Sequence, residues 1–400
     1  MTPNPYIKQY LMTAGPTPLP PAVSQVMAEP ISYHRAPAFV EVHARALRGL
    51  RDVFQTGGDV LSFAASGSGA MESAVANLTA LGEPVAVASA GKFGERWLEL
   101  ADAFGAEVTH LDVEWGEAIP PDELDRTLSS MARKPRAVFA TQSETSTGVV
   151  HDVRALTEVA HAHDAVIVID AISGLGAVDL PQDEWGVDVV ISGSQKSLMC
   201  PPGLGFASAN ERALELAAAS GERHAGRYYF DWGRAAAGQA DDDNPNSPFT
   251  PAVTLWSALD VALALILEEG LPQVFERHAL LARAARAGIE AIGLERFGPD
   301  SEGANVVTAA RMPESIDGAA VPKAMRDVYG VTAAGGQGRL KGKIVRIAHC
   351  GYFGAFDVLI ALSALESALR DAGMNVEPGS GAAGAQRVFS EAGRAPEPVA

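Results

Sequence analysis

Seven short apolar runs lie between residues 59 and 209, and segments with helical spacing separate most of them. The runs are DVLSFAA (59–65), PVAVASA (84–90), VTHLDV (108–113), AVFATQ (137–142), AVIVIDA (165–171), DVVISGS (188–194) and LGFASA (204–209). Several are apolar without a break, the pattern of strands whose two faces are both covered by helices. Segments 70–81, 95–104, 121–132 and 152–163 have helical spacing; in the last, Val153, Leu156, Val159 and Ala160 share one face. This alternation predicts an α/β fold with a large domain on a mostly parallel sheet.

The texture changes after residue 225. Residues 225–250 are rich in turn formers and carry an acidic triplet, so they read as a long exposed loop. A helix pair follows over 254–270 and 271–293, then strand-like NVVTAARM, VTAAGG and KIVRIAHC and a closing helix over 354–372. These elements predict a smaller C-terminal α+β domain. The expected divisions are an N-terminal arm (1–22), a large domain (23–270), a small domain (271–375) and a disordered Gly/Ala/Pro/Ser-rich tail (376–400).

Composition narrows the partners. A formal net charge of −18 disfavours duplex nucleic acid and anionic membranes, which repel an acidic surface. No apolar run has transmembrane length, and the N-terminus lacks the basic and apolar blocks of a signal peptide. Cys200 and Cys350 form neither a disulfide framework nor a metal spacing, and the nine histidines include no HExxH. A cytoplasmic protein without a metal site is expected.

Three features carry chemistry. SGSGAME, Ser66 to Glu72, follows a strand and opens a helix; it is either a plain turn or a phosphate cradle of helix N-terminal amides and serine hydroxyls. It lacks the third glycine of a dinucleotide fingerprint and the Gly-Lys-Ser/Thr of a Walker loop. Asp170 ends the run AVIVIDA, at the sheet edge where open α/β folds bind ligands. Lys196 follows the next run, where loss of solvation would lower its pKa and make a usable nucleophile. A phosphate cradle, a strand-end carboxylate and a strand-end lysine are together the parts of a pyridoxal phosphate site.

The sequence resembles the class V, fold-type I aminotransferases, in the alanine/serine–glyoxylate (serine–pyruvate) branch. The resemblance runs from TAGPTPLPPAV at residue 13 to about residue 373, through YHRAPAF, ASGSGAME, GKFGERW, ETSTGVVHD, VIDAISGLG, SGSQKSLMCPPG, FTPAVTLWSALD, EEGL and LKGKIVRIAHCG. It implies a seven-stranded large domain with pyridoxal 5'-phosphate as cofactor, and a homodimer with active sites at the subunit interface. By the same resemblance Ser66, Gly67, Ser68 and Gln195 hold the phosphate, and Thr250 reaches the phosphate of the neighbouring subunit. Asp170 takes the pyridinium nitrogen, Lys196 forms the Schiff base, Phe93 stacks on the ring and Thr145 places a hydroxyl near it. Arg346 binds the substrate carboxylate. Where better-known animal relatives have tryptophan and serine, positions 93 and 145 hold phenylalanine and threonine. The implied reaction moves the amino group of alanine or serine to glyoxylate or pyruvate. Alternatives are a phosphoserine or other class V aminotransferase, a desulfurase or lyase and, from another class, a nicotinamide-dependent oxidoreductase. His34 and Arg35 receive no role.

Overall fold

A computed structural model describes residues 7–219, 227–299 and 304–399. A two-residue strand β1 (Tyr10–Leu11) and a short helix α1 (Pro21–Val26) precede the long α2 (Pro37–Phe54). Then come β2 (Val60–Phe63), α3 (Gly67–Leu78), β3 (Pro84–Ser89), α4 (Lys92–Ala103), β4 (Glu107–Asp112), α5 (Pro121–Ser130) and β5 (Ala137–Thr141). A tight hairpin, β6 (Ser143–Glu144) and β7 (Val149–Val150), leads to α6 (Val153–Ala162), β8 (Val166–Asp170) and α7 (Gln182–Trp185). Strands β9 (Val189–Gly193) and β10 (Gly205–Ala209) follow, then α8 (Glu211–Ala219) and α9 (Trp232–Gln239).

The seven expected strands form one sheet in the order β2-β10-β9-β8-β5-β3-β4, with β10 alone running antiparallel to its neighbours. The unbroken apolar runs have a direct cause. Val166 and Val168 pack into one core with α3, α4, α8 and α9, while Ile167 and Ile169 pack into another with α2, α5, α6 and α10 (Val253–Glu269). With a layer on each side, neither face of β8 tolerates a polar residue. β4, at one edge of the sheet, has no buried residue.

Helix α11 (Leu271–Ile292) leads into the C-terminal part: β11 (Val307–Arg311), α12 (Ala320–Tyr329), β12 (Val331–Thr332), β13 (Ala334–Gly335), β14 (Ile344–Ala348), α13 (Ala355–Asp371) and α14 (Ser380–Glu391). Its three-stranded antiparallel sheet has the order β11-β14-β13. The run VTAAGG therefore splits: β13 joins this sheet, whereas β12 pairs in parallel with β1 of the N-terminal arm.

Two expectations are corrected. Residues 227–250 are not all loop, since they contain α9, capped by Asp231 accepting from the Arg234 amide and anchored by the fully buried Trp232. Residues 225 and 226 of that segment lie outside the described residues. The tail 376–400, expected to be disordered, carries α14, which packs with α11 and α13. Its small residues are the contact surface: a Cβ at Gly384 would lie 2.8 Å from the Ala287 carbonyl oxygen, and one at Gly381 2.7 Å from Ile292.

Candidate active site

The carboxyl ends of β2, β8 and β9 converge on one cavity of about 280 Å³. It is lined by Ser66, Gly67, Ser68, Phe93, Asp170, Gln195 and Lys196 among the residues expected from sequence, and by Gly15, Pro16, Arg96, Ser143, Ile172, Ser173 and Pro202 besides. α3 begins at Gly67, so the glycine-rich stretch is the first turn of a helix rather than a loop before one. Ser66 is its N-cap residue but makes no capping hydrogen bond. Its hydroxyl and the first helical amides, which have no carbonyl one turn back, remain available to an anion.

Lys196 sits in a tied-down loop. Ser194 Oγ donates to the Pro201 carbonyl at 2.6 Å, and the Met199 amide donates to the Lys196 carbonyl at 3.1 Å. Thr17 closes the loop from the N-terminal side, its hydroxyl donating to the same Lys196 carbonyl at 2.9 Å. The Lys196 amine donates to the Ala14 carbonyl. Gly15, at φ +133°, lies so close to the lysine stem that any Cβ would collide with it.

Burial lowers the Lys196 pKa, with nearby Arg346 and Arg96 pushing the same way and Cys350 and Asp170 opposing. Burial raises Asp170 to about 7 against the pull of its Ile172 amide bond, Arg96 and Lys196. Asp170 Oδ1 accepts that amide at 2.8 Å, and no described residue donates to the other oxygen. A group presenting a cationic N–H would meet an unsatisfied carboxylate there.

Residues 9–338 match the family described as aminotransferase class-V. The chain belongs to the class V aminotransferases. Among relatives of this family member, a soluble hydrogenase small subunit from Synechococcus sp. (strain PCC 6716) is 40% identical, covering 96% of this chain and 99% of that one. A serine–glyoxylate aminotransferase from Methylorubrum extorquens is 34% identical, covering 96% of each. The crystal structure of ureidoglycine–glyoxylate aminotransferase from Bacillus subtilis superposes with a TM-score of 0.89 at 32% identity, over 96% of this chain and 98% of that one. Among the described residues no group of three or more His, Cys, Asp or Glu side chains is placed to hold a metal ion.

Membership of the class V family makes the chain an aminotransferase with pyridoxal phosphate as cofactor. The residues present fit that group: the uncapped Ser66, the half-satisfied Asp170 and Gln195, whose side-chain amide nitrogen donates to no described residue, all line the cavity. Three expected residues are not among those lining the cavity. Arg346 Nη1 donates to the Thr145 carbonyl at 2.5 Å, and its Nε and Nη2 donate to the Gly335 carbonyl at 3.0 and 2.7 Å. Thr250 is exposed on a separate cleft beside Phe63, Tyr229 and Trp256.

The class V motifs also contain a residue that sequence reasoning passed over. Glu144 is wholly buried, and its carboxylate accepts from the Phe93 and Gly94 amides at 3.0 and 2.9 Å and from the Ser146 amide and hydroxyl at 3.0 and 2.6 Å. It thereby caps α4, whose N-cap residue Gly91 has no side chain to do so, and fixes the backbone of Phe93. No helix among the described residues is long and apolar enough to cross a membrane.

Proposed function

We propose that this aminotransferase moves the amino group of a small amino acid, alanine or serine, to a small 2-oxo acid, glyoxylate or pyruvate. The observation that carries the reading is that Lys196, Asp170 and the Ser66–Ser68 turn line one cavity at the carboxyl edge of the sheet. The glyoxylate-dependent relatives support the substrate class.

Bound pyridoxal phosphate supplies an aldehyde that takes up the amino group and a ring that accepts the electrons left on the substrate. Ser66, Gly67, Ser68 and Gln195 would hold its phosphate, and Phe93 would lie against its ring. Asp170 would bind the ring nitrogen, a cationic partner that favours an ionised carboxylate despite burial. Lys196 would hold the cofactor through its amine. Its Nζ would also take up and return the proton at the substrate Cα, a role suited to an amine whose pKa burial has lowered. Of the five N–H donors of Arg346, three are used on protein carbonyls. Two remain for one substrate carboxylate. Thr145 supports this grip through its carbonyl, with its hydroxyl beside the ring. A single such arginine suits substrates with one carboxylate.

Thr250, exposed and away from its own chain's cavity, reaches the phosphate of a second subunit, so the working unit is a homodimer. Cys200 and Cys350 are free, buried thiols, as suits a reducing cytoplasm.

Borohydride reduction of the cofactor-loaded protein and peptide mass mapping should find the pyridoxyl group on Lys196. Lys196→Ala should carry none and lose turnover. Label on a different lysine, or none in the wild type, contradicts the assignment. Alanine or serine with glyoxylate should be the productive pairs in a donor-by-acceptor screen; turnover confined to phosphoserine or cysteine contradicts the substrate class.

A further inference from the structure

Arg96 stands one helical turn beyond Phe93, on the first turn of α4, and forms part of the cavity wall. Its Nη1 donates to Ser68 Oγ at 3.0 Å, and its guanidinium lies 5.1 Å from the centroid of the Phe93 ring. Among the described residues no carboxylate stands within ion-pair distance of it. An arginine that faces a cavity without a counter-charge is an invitation to an anion.

The charges in the cavity make this specific. Among the described residues Arg96 and Lys196 are the two cationic side chains in its wall. Lys196 is committed to the aldehyde end of the cofactor. The other groups at the phosphate end are neutral: two serine hydroxyls, backbone amides and the Gln195 amide. The start of α3 adds the equivalent of about half a positive charge. A phosphate monoester carries roughly 1.5 to 2 negative charges at neutral pH. A chain with a net charge of −18 does nothing to close that gap.

We infer that Arg96 is the counter-ion of the cofactor phosphate, and that through its bond to Ser68 it also sets the direction of that hydroxyl. The inference rests on the reading of Ser66–Ser68 as the phosphate cradle. It makes the first turn of α4 a two-part device, in which Phe93 meets the ring and Arg96 the phosphate. The two side chains lie three residues apart and so project on the same side of the helix.

The test separates phosphate from ring. Cofactor-free wild type, Arg96→Gln and Arg96→Lys are titrated with pyridoxal phosphate and with pyridoxal, which lacks the phosphate, and followed by quenching of tryptophan fluorescence. Arg96→Gln should weaken pyridoxal phosphate by about tenfold or more while leaving pyridoxal within about twofold. Arg96→Lys, which keeps the charge, should recover most of the loss. Equal weakening of both ligands, or no weakening of either, overturns the inference.

A second arm uses wild-type protein alone, so it does not depend on the variants folding. Phenylglyoxal should modify Arg96 in the cofactor-free protein, and inorganic phosphate should protect it where pyridoxal does not, read by peptide mapping. Equal modification with and without phosphate contradicts the inference. Failure of the underlying reading looks different: wild type would then bind pyridoxal phosphate no more tightly than pyridoxal.

Discussion

Asp170 is held at the middle of the sheet, paired in register with Thr141 on β5 and Ile191 on β9. Burial raises its pKa from 3.8 to about 7 in the cofactor-free protein. A carboxyl with a raised folded-state pKa binds its proton more tightly when folded, so its contribution is favourable at low pH. That contribution is lost as pH rises from roughly 4 through 7. Asp170→Asn has no charge to bury. The variant, free of cofactor, should therefore lose less thermal stability than wild type between pH 5 and pH 8; equal losses would remove Asp170 as the cause. The shared place of Lys196, Asp170 and Ser66–Ser68 on one cavity was legible in the sequence because each sits at a strand end, and strand ends can be read from apolar runs. Arg96, Glu144 and Gly15 were not, although each lies inside a quoted motif. Their roles depend on a cavity wall, a neighbouring helix end and a lysine 181 positions away, which no local pattern encodes.

Among the elements, α14 teaches the opposite lesson. Its glycines and alanines look like low complexity, yet Gly381, Gly384 and Ala385 are buried against α11. Close approach of two helices needs small side chains, and a periodic apolar stripe is absent because backbone contact replaces it. Gly384→Val would push a side chain into the Ala287 carbonyl and the Ala291 methyl. It should cost about 1–3 kcal/mol in urea unfolding, whereas Glu391→Ala at the exposed end should change little; a neutral Gly384→Val would show that the contact is looser than this geometry. Helices α3 to α6 were legible to within a few residues, since amphipathic spacing marks them, whereas α2, α8 and α9 were not read. The start of α4 was read three residues late, because Lys92 and Phe93 precede its periodic part.

For the molecule as a whole, four buried histidines set the acid limit. Burial lowers His43 and His151 to about 4, His349 to about 3, and His278 well below its ordinary value. Each is neutral when folded and gains a proton on unfolding below about pH 6.5, so the stability they give is lost as pH falls toward their folded values. Asp170, Glu144, Asp357 and Glu397, all raised by burial, act in the opposite sense. Between pH 6.5 and pH 4.5 the urea midpoint of cofactor-free Asp170→Asn should therefore fall more steeply than that of the wild type, since one opposing carboxyl is gone; equal slopes would contradict this balance. The order of strands in the large sheet was not legible, because a parallel sheet can be wound in several orders from the same apolar runs.

The pairing of β1 with β12 has a consequence in time. Val331 and Thr332 emerge about 320 residues after their partners Tyr10 and Leu11. At about 5–20 residues per second the arm waits roughly 15–60 s for its partner strand. Until then Gly15 and the Ala14 carbonyl lack that strand as an anchor over Lys196. The lysine loop can thus be complete on a growing chain before the strand pair that steadies its cover exists.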